Sequence, residues 1–252
     1  MKLLEFIRRM MHYVYVPRCV HCNEILPKDS ETFCPSCLSQ YENVKQRNCA
    51  RCANILSRCT CTNDYLDRHL VHRLLKIVRY VSSIKELPQN RLIFSMKREN
   101  REDVARFMSK ELSDAIRANI KDHEKYVLAY VPRRRSEKRK YGVDQAKILA
   151  EHISKSLHIE LVHALRPKSK KAQKKLSAVE RRKNASFSPR KNADLSGKRV
   201  LLLDDIVTTG ATMGAAAMAL RSVGAREIVG VCFAIAYLDP HVELRNSVFD
   251  KA

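Results

Sequence analysis

The stretch that most limits what this chain can fold into is Val200 to Gly214, VLLLDDIVTTGATMG. Its apolar run reads as a strand buried on both faces. The strand delivers two adjacent carboxylates, Asp204 and Asp205, to its C-terminal end, and the small-residue loop Thr208-Thr209-Gly210-Ala211-Thr212 then opens a helix. Around this unit the sequence alternates strand and helix patterns. Strands are expected over Leu74–Val81, Tyr126–Val131 (ended by Pro132), Ile159–Leu165, Lys198–Leu203 and Glu227–Ala236. Helices are expected over Arg91–Lys97, Glu102–Ile120, Gln145–Leu157 and Thr212–Val223, the last closed by Gly224. Alternation of this kind predicts the α/β class, a mainly parallel sheet with helices on both faces.

The loop also suggests a chemistry. Backbone N–H groups at a helix N-terminus, supplemented by Thr hydroxyls, make a cradle for a monophosphate. Two carboxylates just ahead of it can accept hydrogen bonds from the vicinal hydroxyls of a ribose. Neither a Gly-Lys-Ser/Thr phosphate loop nor the dinucleotide fingerprint is present.

A second constraint comes from cysteine. Eight of the nine cysteines fall between Cys19 and Cys61 in close pairs: Cys19 and Cys22, Cys34 and Cys37, Cys49 and Cys52, Cys59 and Cys61. Such pairs in tight turns suit tetrahedral metal coordination in a reducing cytoplasm better than disulfides. Four pairs fill two closed zinc sites, with sequential and interleaved pairings both open at this point and an iron–sulfur cluster as a minor alternative. All-thiolate shells leave no open position, so the zinc is read as structural. His21 lies inside the first turn and is read as an exposed side chain rather than a ligand, and Cys232 as a small core residue of the last strand.

Charge adds a third constraint. Lys and Arg number 48 against 27 Asp and Glu, a net +21, so polyanions are the first partners to consider. Between Arg133 and Arg199 there are 21 basic residues against six acidic ones, a net +15. They cluster at Arg133, Arg134, Arg135, Lys138, Arg139 and Lys140, and again at Lys168, Lys170, Lys171, Lys174, Lys175, Arg181, Arg182 and Lys183. Clusters this dense predict a nucleic-acid backbone as ligand, with strong salt dependence. Tyr141 and Phe187 are the only aromatic residues placed to stack on bases, which predicts little sequence preference, and Phe187 reads better as core. Apolar runs such as Ala215 to Leu220 are far too short for a membrane span. Residues 1–15 have the spacing of a short amphipathic helix with no signal-peptide cleavage pattern, and residues 240–252 carry no pattern.

The Val200–Gly214 stretch resembles the phosphoribosyl-pyrophosphate (PRPP) motif of type I phosphoribosyltransferases: a hydrophobic strand, two acids, two apolar residues, then Thr-Thr-Gly-x-Thr. Joined to an N-terminal cysteine cluster, it is similar to the ComF family, linked to DNA uptake in natural transformation. Further blocks of that family recur in order: Lys97 after an apolar helix, Val131-Pro132, Tyr141-Gly142-Val143-Asp144-Gln145, then Gln173, Leu176, Arg181, Asn184 and Phe187. Tyr141, Val143 and Asp144 replace the usual Arg, Phe and Asn, and Lys170 stands where a Thr often precedes Gln173. The resemblance implies a type I phosphoribosyltransferase-like fold plus a small zinc-ribbon domain. Its boundaries would be a helix over 1–16, a double ribbon over 17–64, the transferase-like domain over 65–239 and a tail over 240–252. It further implies Asp204 and Asp205 on the ribose, residues 208–212 on the 5-phosphate, magnesium with PRPP, and single-stranded DNA with DNA-processing or helicase proteins as partners. An active phosphoribosyltransferase with an unidentified acceptor is the alternative.

Overall fold

The computed structural model describes residues 16–133, 142–168 and 187–236. Along them run α1 (Pro35–Lys45), α2 (Asp64–Arg68), β1 (Arg73–Arg79), α3 (Pro88–Arg98), α4 (Glu102–Asn119), β2 (Tyr126–Tyr130), α5 (Gln145–Leu157), β3 (Leu165–Pro167), β4 (Phe187–Pro189), β5 (Arg199–Val207), α6 (Ala211–Arg221) and β6 (Glu227–Ile235). The helices begin where local chemistry lets them. Proline opens α1 and α3, where its missing N–H costs nothing. In α4, Glu102 and Asp103 in the first turn and Arg117 in the last complement the helix dipole, while Val104, Met108, Leu112 and Ile116 are buried along one stripe.

Four strands form one sheet in the order β1-β6-β5-β2, and every pairing is parallel. β3 and β4 make a separate antiparallel ribbon. The sheet divides the core in two. On the first face Leu75, Ile77, Leu201, Leu203, Val229 and Val231 pack with α3, α4 and α5. On the second, Leu74, Val200, Leu202 and Ile228 pack with α2 and α6 and with Leu165 and Phe187 of the ribbon. Both faces are dry, as the near-continuous apolar strands require.

The cysteine-rich segment wraps the β1 edge and joins both cores. Cys19, Cys34, Cys37 and Tyr41 are buried in the first, and Cys49, Leu56 and Cys59 in the second. The Leu74 N–H donates to the Thr60 carbonyl at 3.0 Å, covering part of an edge that would otherwise invite pairing with another chain.

Two differences from the sequence reading have physical causes. A strand is expected over Ile159–Leu165, but only Leu161 bridges to Leu128, and the regular strand starts at Leu165 in the ribbon. Ile159 and Leu161 serve the first core while Val162 and Ala164 serve the second, the alternation of an edge strand, but the segment meets β2 only at Leu128, through the Glu160 carbonyl and the Val162 N–H, before it turns into the ribbon. β5 continues past Leu203 to Val207, because β6 supplies Ala234 and Ile235 as partners for Ile206 and Val207. Asp204 and Asp205 therefore sit within the strand. No helix among the described residues is long and apolar enough to cross a membrane, and the expected segments over 1–15 and 240–252 lie outside the described residues.

Candidate functional site

The acidic pair and the loop stand at the carboxyl end of β5. Asp204 pairs in register with Cys232 of β6. Asp205 meets two cations: Lys97 Nζ lies 3.2 Å, and Arg133 Nη2 3.0 Å, from its Oδ2. Each carboxylate also accepts a bond from the backbone of the next residue, Asp205 N–H to Asp204 Oδ1 at 2.9 Å and Ile206 N–H to Asp205 Oδ1 at 2.8 Å. These local bonds fix both side chains.

Beyond Val207, Thr208 and Thr209 are exposed, and Gly210 takes φ +84 as the residue before α6. A side chain there would be strained, and a Cβ would lie 2.7 Å from Leu66 Cγ. The helical ladder starts with Gly214 N–H donating to the Gly210 carbonyl at 2.8 Å, so the amides before it belong to the unsatisfied first turn. The Ala211 N–H is met by Thr209 Oγ1 at 3.3 Å. The geometry is that of an anion cradle beside two carboxylates.

The two cations are held by residues from the Asp144-Gln145 block. Gln145 is fully buried, and its Nε2 donates to the carbonyls of Met96 and Lys97 at 3.3 and 3.4 Å, fixing the end of α3 that carries Lys97. Asp144 Oδ2 accepts from the Arg133 N–H at 3.2 Å. The sequence reading puts Arg133 with the basic run and gives Asp144 and Gln145 no role beyond the family block. Both side chains are buried, Asp144 as the cap of α5 and Gln145 as its first residue, and that burial is not visible in the sequence.

The surroundings split the acidic pair. Burial, with the neighbouring Asp205 charge, pushes the Asp204 carboxyl well above the usual carboxylate range. Burial acts on Asp205 as well, but the charges of Lys97 and Arg133 outweigh it and hold that group below its ordinary value. Of the two, Asp205 is therefore the more readily ionised.

The eight clustered cysteines gather sequentially. Cys19, Cys22, Cys34 and Cys37 form one set and Cys49, Cys52, Cys59 and Cys61 the other, with all sulfurs of a set within 4.8 Å of one another. A tetrahedral zinc with bonds of about 2.3 Å needs sulfurs about 3.8 Å apart. Cys22 and Cys34 stand at 3.8 Å and Cys52 and Cys59 at 3.5 Å, so both sets fit a structural zinc. Burial would raise the Cys19 thiol, yet N–H groups of Cys22, Cys34 and His21 bring it down to about 7. At Cys49 burial is likewise outweighed by the N–H groups of Arg51 and Cys52, again to about 7.

Each set also has an outside hydrogen-bonding partner. His21 Nδ1 lies 3.2 Å from Cys37 Sγ and its Nε2 2.6 Å from the Glu86 carbonyl, so the ring is bound in place and not a free side chain. Lys76, 1% exposed in the middle of β1, donates to Cys59 Sγ at 3.1 Å and to the Cys61 carbonyl at 2.7 Å. The sequence reading assigns it no role, although a lysine inside an otherwise apolar strand is a visible signal.

Arg134, Arg135, Lys138, Arg139, Lys140, Lys170, Lys171, Lys174, Lys175, Arg181 and Arg182, expected at nucleic acid, lie outside the described residues. Phe187 is buried in β4 against the second core, as expected, and Cys232 is buried in β6.

The model of the phosphoribosyl transferase domain matches residues 125–249, a span holding β2, the acidic pair, the loop and β6. The fold and this match define a type I phosphoribosyltransferase-fold protein. Two curated relatives match over a larger share of the chain. Competence protein F of Haemophilus influenzae is 27% identical over 84% of this chain and 93% of its own length. Competence protein ComFC of Bacillus subtilis is 26% identical over 79% and 82%. Along most of its length the chain is thus similar to competence proteins of the ComF type, as the sequence motifs imply. Among solved structures, a purine phosphoribosyltransferase from Pyrococcus horikoshii Ot3 aligns with a TM-score of 0.36 and 20% identity, over 53% of this chain and 81% of that one.

Proposed function

We propose that this is a competence protein of DNA uptake that binds PRPP or a related ribose 5-phosphate through its phosphoribosyltransferase fold and single-stranded DNA through its basic clusters. The observation that carries the ligand reading is the acidic pair at the end of β5, running directly into a small-residue cradle at the start of α6. Asp204 and Asp205 supply acceptors for the ribose hydroxyls, and residues 208–212 supply donors for the 5-phosphate. The carboxylate oxygens are hard ligands suited to magnesium, which would neutralise part of the pyrophosphate charge. Lys97 and Arg133, already beside Asp205, add positive charge next to that group. A protein acting on imported strands would work in the cytoplasm, with helicase or other DNA-processing proteins as neighbours.

Isothermal calorimetry with PRPP and magnesium tests the ligand reading. The double variant Asp204→Asn with Asp205→Ala is expected to lose measurable affinity, and equal affinity would remove the ribose assignment. For DNA, anisotropy of a labelled single strand should weaken steeply across a salt series, with a log–log slope of about −0.7 per phosphate contacted. A flat response would leave the basic run as a solvated face.

The alternative reading, an active transferase, draws on Lys97 and Arg133. In such a reaction the acceptor's lone pair forms the new bond to C1 of the ribose as the bond to pyrophosphate breaks, and cations beside the leaving group lower that barrier. Release of pyrophosphate from PRPP in the presence of candidate bases or amines is the measurement that separates transfer from binding alone.

A further inference from the structure

The second cysteine set and the phosphate cradle lie far apart in sequence, yet a single short connection joins them. Cys61 is followed by Thr62 and then Asn63, the cap of α2. Asn63 Oδ1 accepts the Leu66 N–H at 2.8 Å, and its Nδ2 donates to the Thr209 carbonyl at 3.2 Å. One amide thus caps the helix with its oxygen and holds the cradle with its nitrogen. The rest of α2 packs under the same loop. Leu66 is fully buried and occupies the space a Gly210 side chain would need, while Tyr65 Cε1 and His69 Cγ lie 3.1 and 3.2 Å from where a Cβ of Gly214 would sit. The near end is anchored too: Arg51, two residues after Cys49, donates to the Thr62 carbonyl at 2.7 Å and to Asp64 Oδ1 at 2.5 Å. From the other side, Lys76 ties Cys59 and Cys61 to β1.

We propose that Asn63 is a positioning residue for the 208–212 cradle, and that through it and Leu66 the order of the second cysteine set and the phosphate affinity of the cradle are linked. The affinity half of this statement rests on the ribose-phosphate reading above; the positioning half does not. Linkage is reciprocal, so phosphate ligand in the cradle must also tighten metal binding at the second set. Among the described residues the first set's segment bonds instead to α4, to its leading residue Arg101 and, through His21, to the Glu86 carbonyl, and not to the 208–212 cradle.

The experiment separates capping from positioning. Asn63→Ser keeps a side-chain acceptor for the Leu66 N–H but loses the amide donor to Thr209, whereas Asn63→Ala loses both. A residue that only caps would leave Ser close to wild type. The positioning role predicts that Ser and Ala alike speed amide hydrogen exchange across 208–214 by about three- to tenfold, the range expected for one lost hydrogen bond. Zinc content should remain at two per chain in Asn63→Ser. Cys59→Ser should speed exchange in the same segment, and Cys37→Ser should not. If Cys59→Ser does not fold, Asn63→Ser decides alone. Exchange unchanged in Asn63→Ser overturns the proposal.

With PRPP and magnesium present, equilibrium competition with a chromogenic chelator should show one of the two metal equivalents held several-fold more tightly by the wild-type chain, and unchanged affinity of both while PRPP is bound would overturn the linkage. If calorimetry finds no PRPP binding to the wild-type chain, the ribose-phosphate reading fails, and hydrogen exchange still decides whether Asn63 positions the loop.

Discussion

The two cysteine sets have the same ligand chemistry but different attachments to the sheet. The first is buried among helices α3 to α5 on one face, and its outside partner is His21, drawn from its own first turn. The second is buried on the opposite face, and its outside partner is Lys76, an ammonium from the middle of a sheet strand. A zinc ion held by four thiolates carries two negative charges in excess, and a buried cation offsets part of that where water cannot. The second set is therefore built into the sheet, while the first is attached to it. The acidic pair repeats the contrast one strand-end away. Asp205 meets Lys97 and Arg133, but Asp204 stands beside the Cys232 thiol, and among the described residues no directly bonded cation offsets its burial.

The largest expected effect breaks this comparison directly. Lys76→Met removes the counter-charge and leaves the Cys59 and Cys61 carbonyls without that donor, so it should destabilise the protein by about 3–5 kcal/mol. One zinc equivalent should be lost with it. His21→Ala, removing the contacts to Cys37 Sγ and the Glu86 carbonyl at a partly exposed ring, should cost about 1–2 kcal/mol and leave both metals bound. Urea unfolding with metal analysis on both variants checks the pair; equal losses would mean that the two sets are attached alike.

A smaller contrast is expected within the acidic pair. Asp205→Asn leaves Lys97 and Arg133 without their carboxylate and should destabilise by about 3 kcal/mol at neutral pH. Asp204→Asn should have the opposite sign, stabilising by on the order of 1 kcal/mol, since it removes a charge the fold disfavours. Denaturation midpoints at pH 7 give both signs, and destabilisation by both would show that Asp204 too is held as a charged group.

The smallest effect is the pH dependence of the same pair. Because the folded value of Asp204 is raised, the native state binds more protons than the unfolded chain. Its contribution to stability is therefore present below the ordinary carboxylate range and is lost as pH rises through the raised value. Asp205, with its value lowered, contributes stability above the ordinary range that is lost as pH falls through its folded value. Unfolding of each single Asn variant between acid and neutral pH should show the two slopes with opposite signs. Ligand hydroxyls or a cation that favour ionised Asp204 should also release up to one proton on binding, visible in calorimetry as a dependence on buffer ionisation heat.

Much of this arrangement was legible in the chain. Val200–Gly214 specified a buried strand, a glycine-permitted turn and a helix start because each depends on neighbours within a few residues: apolar continuity, the φ +84 of Gly210, the first-turn amides. The cysteine spacing specified two four-thiolate sets for the same reason, since tight turns bring pairs together locally. The sequence could not say which pairs share a site, why Lys76 stands in an apolar strand, or that Asp144 and Gln145 brace Arg133 and the end of α3. Nor could it assign Asn63 to Thr209, 146 residues away. Those contacts depend on where the parallel sheet sets β1, β5 and the chain around its edge, and a parallel sheet joins strands that are distant in sequence through crossovers. Periodicity and turn chemistry fix what each segment is; only the packed sheet fixes which segments meet, because burial is decided by the whole fold.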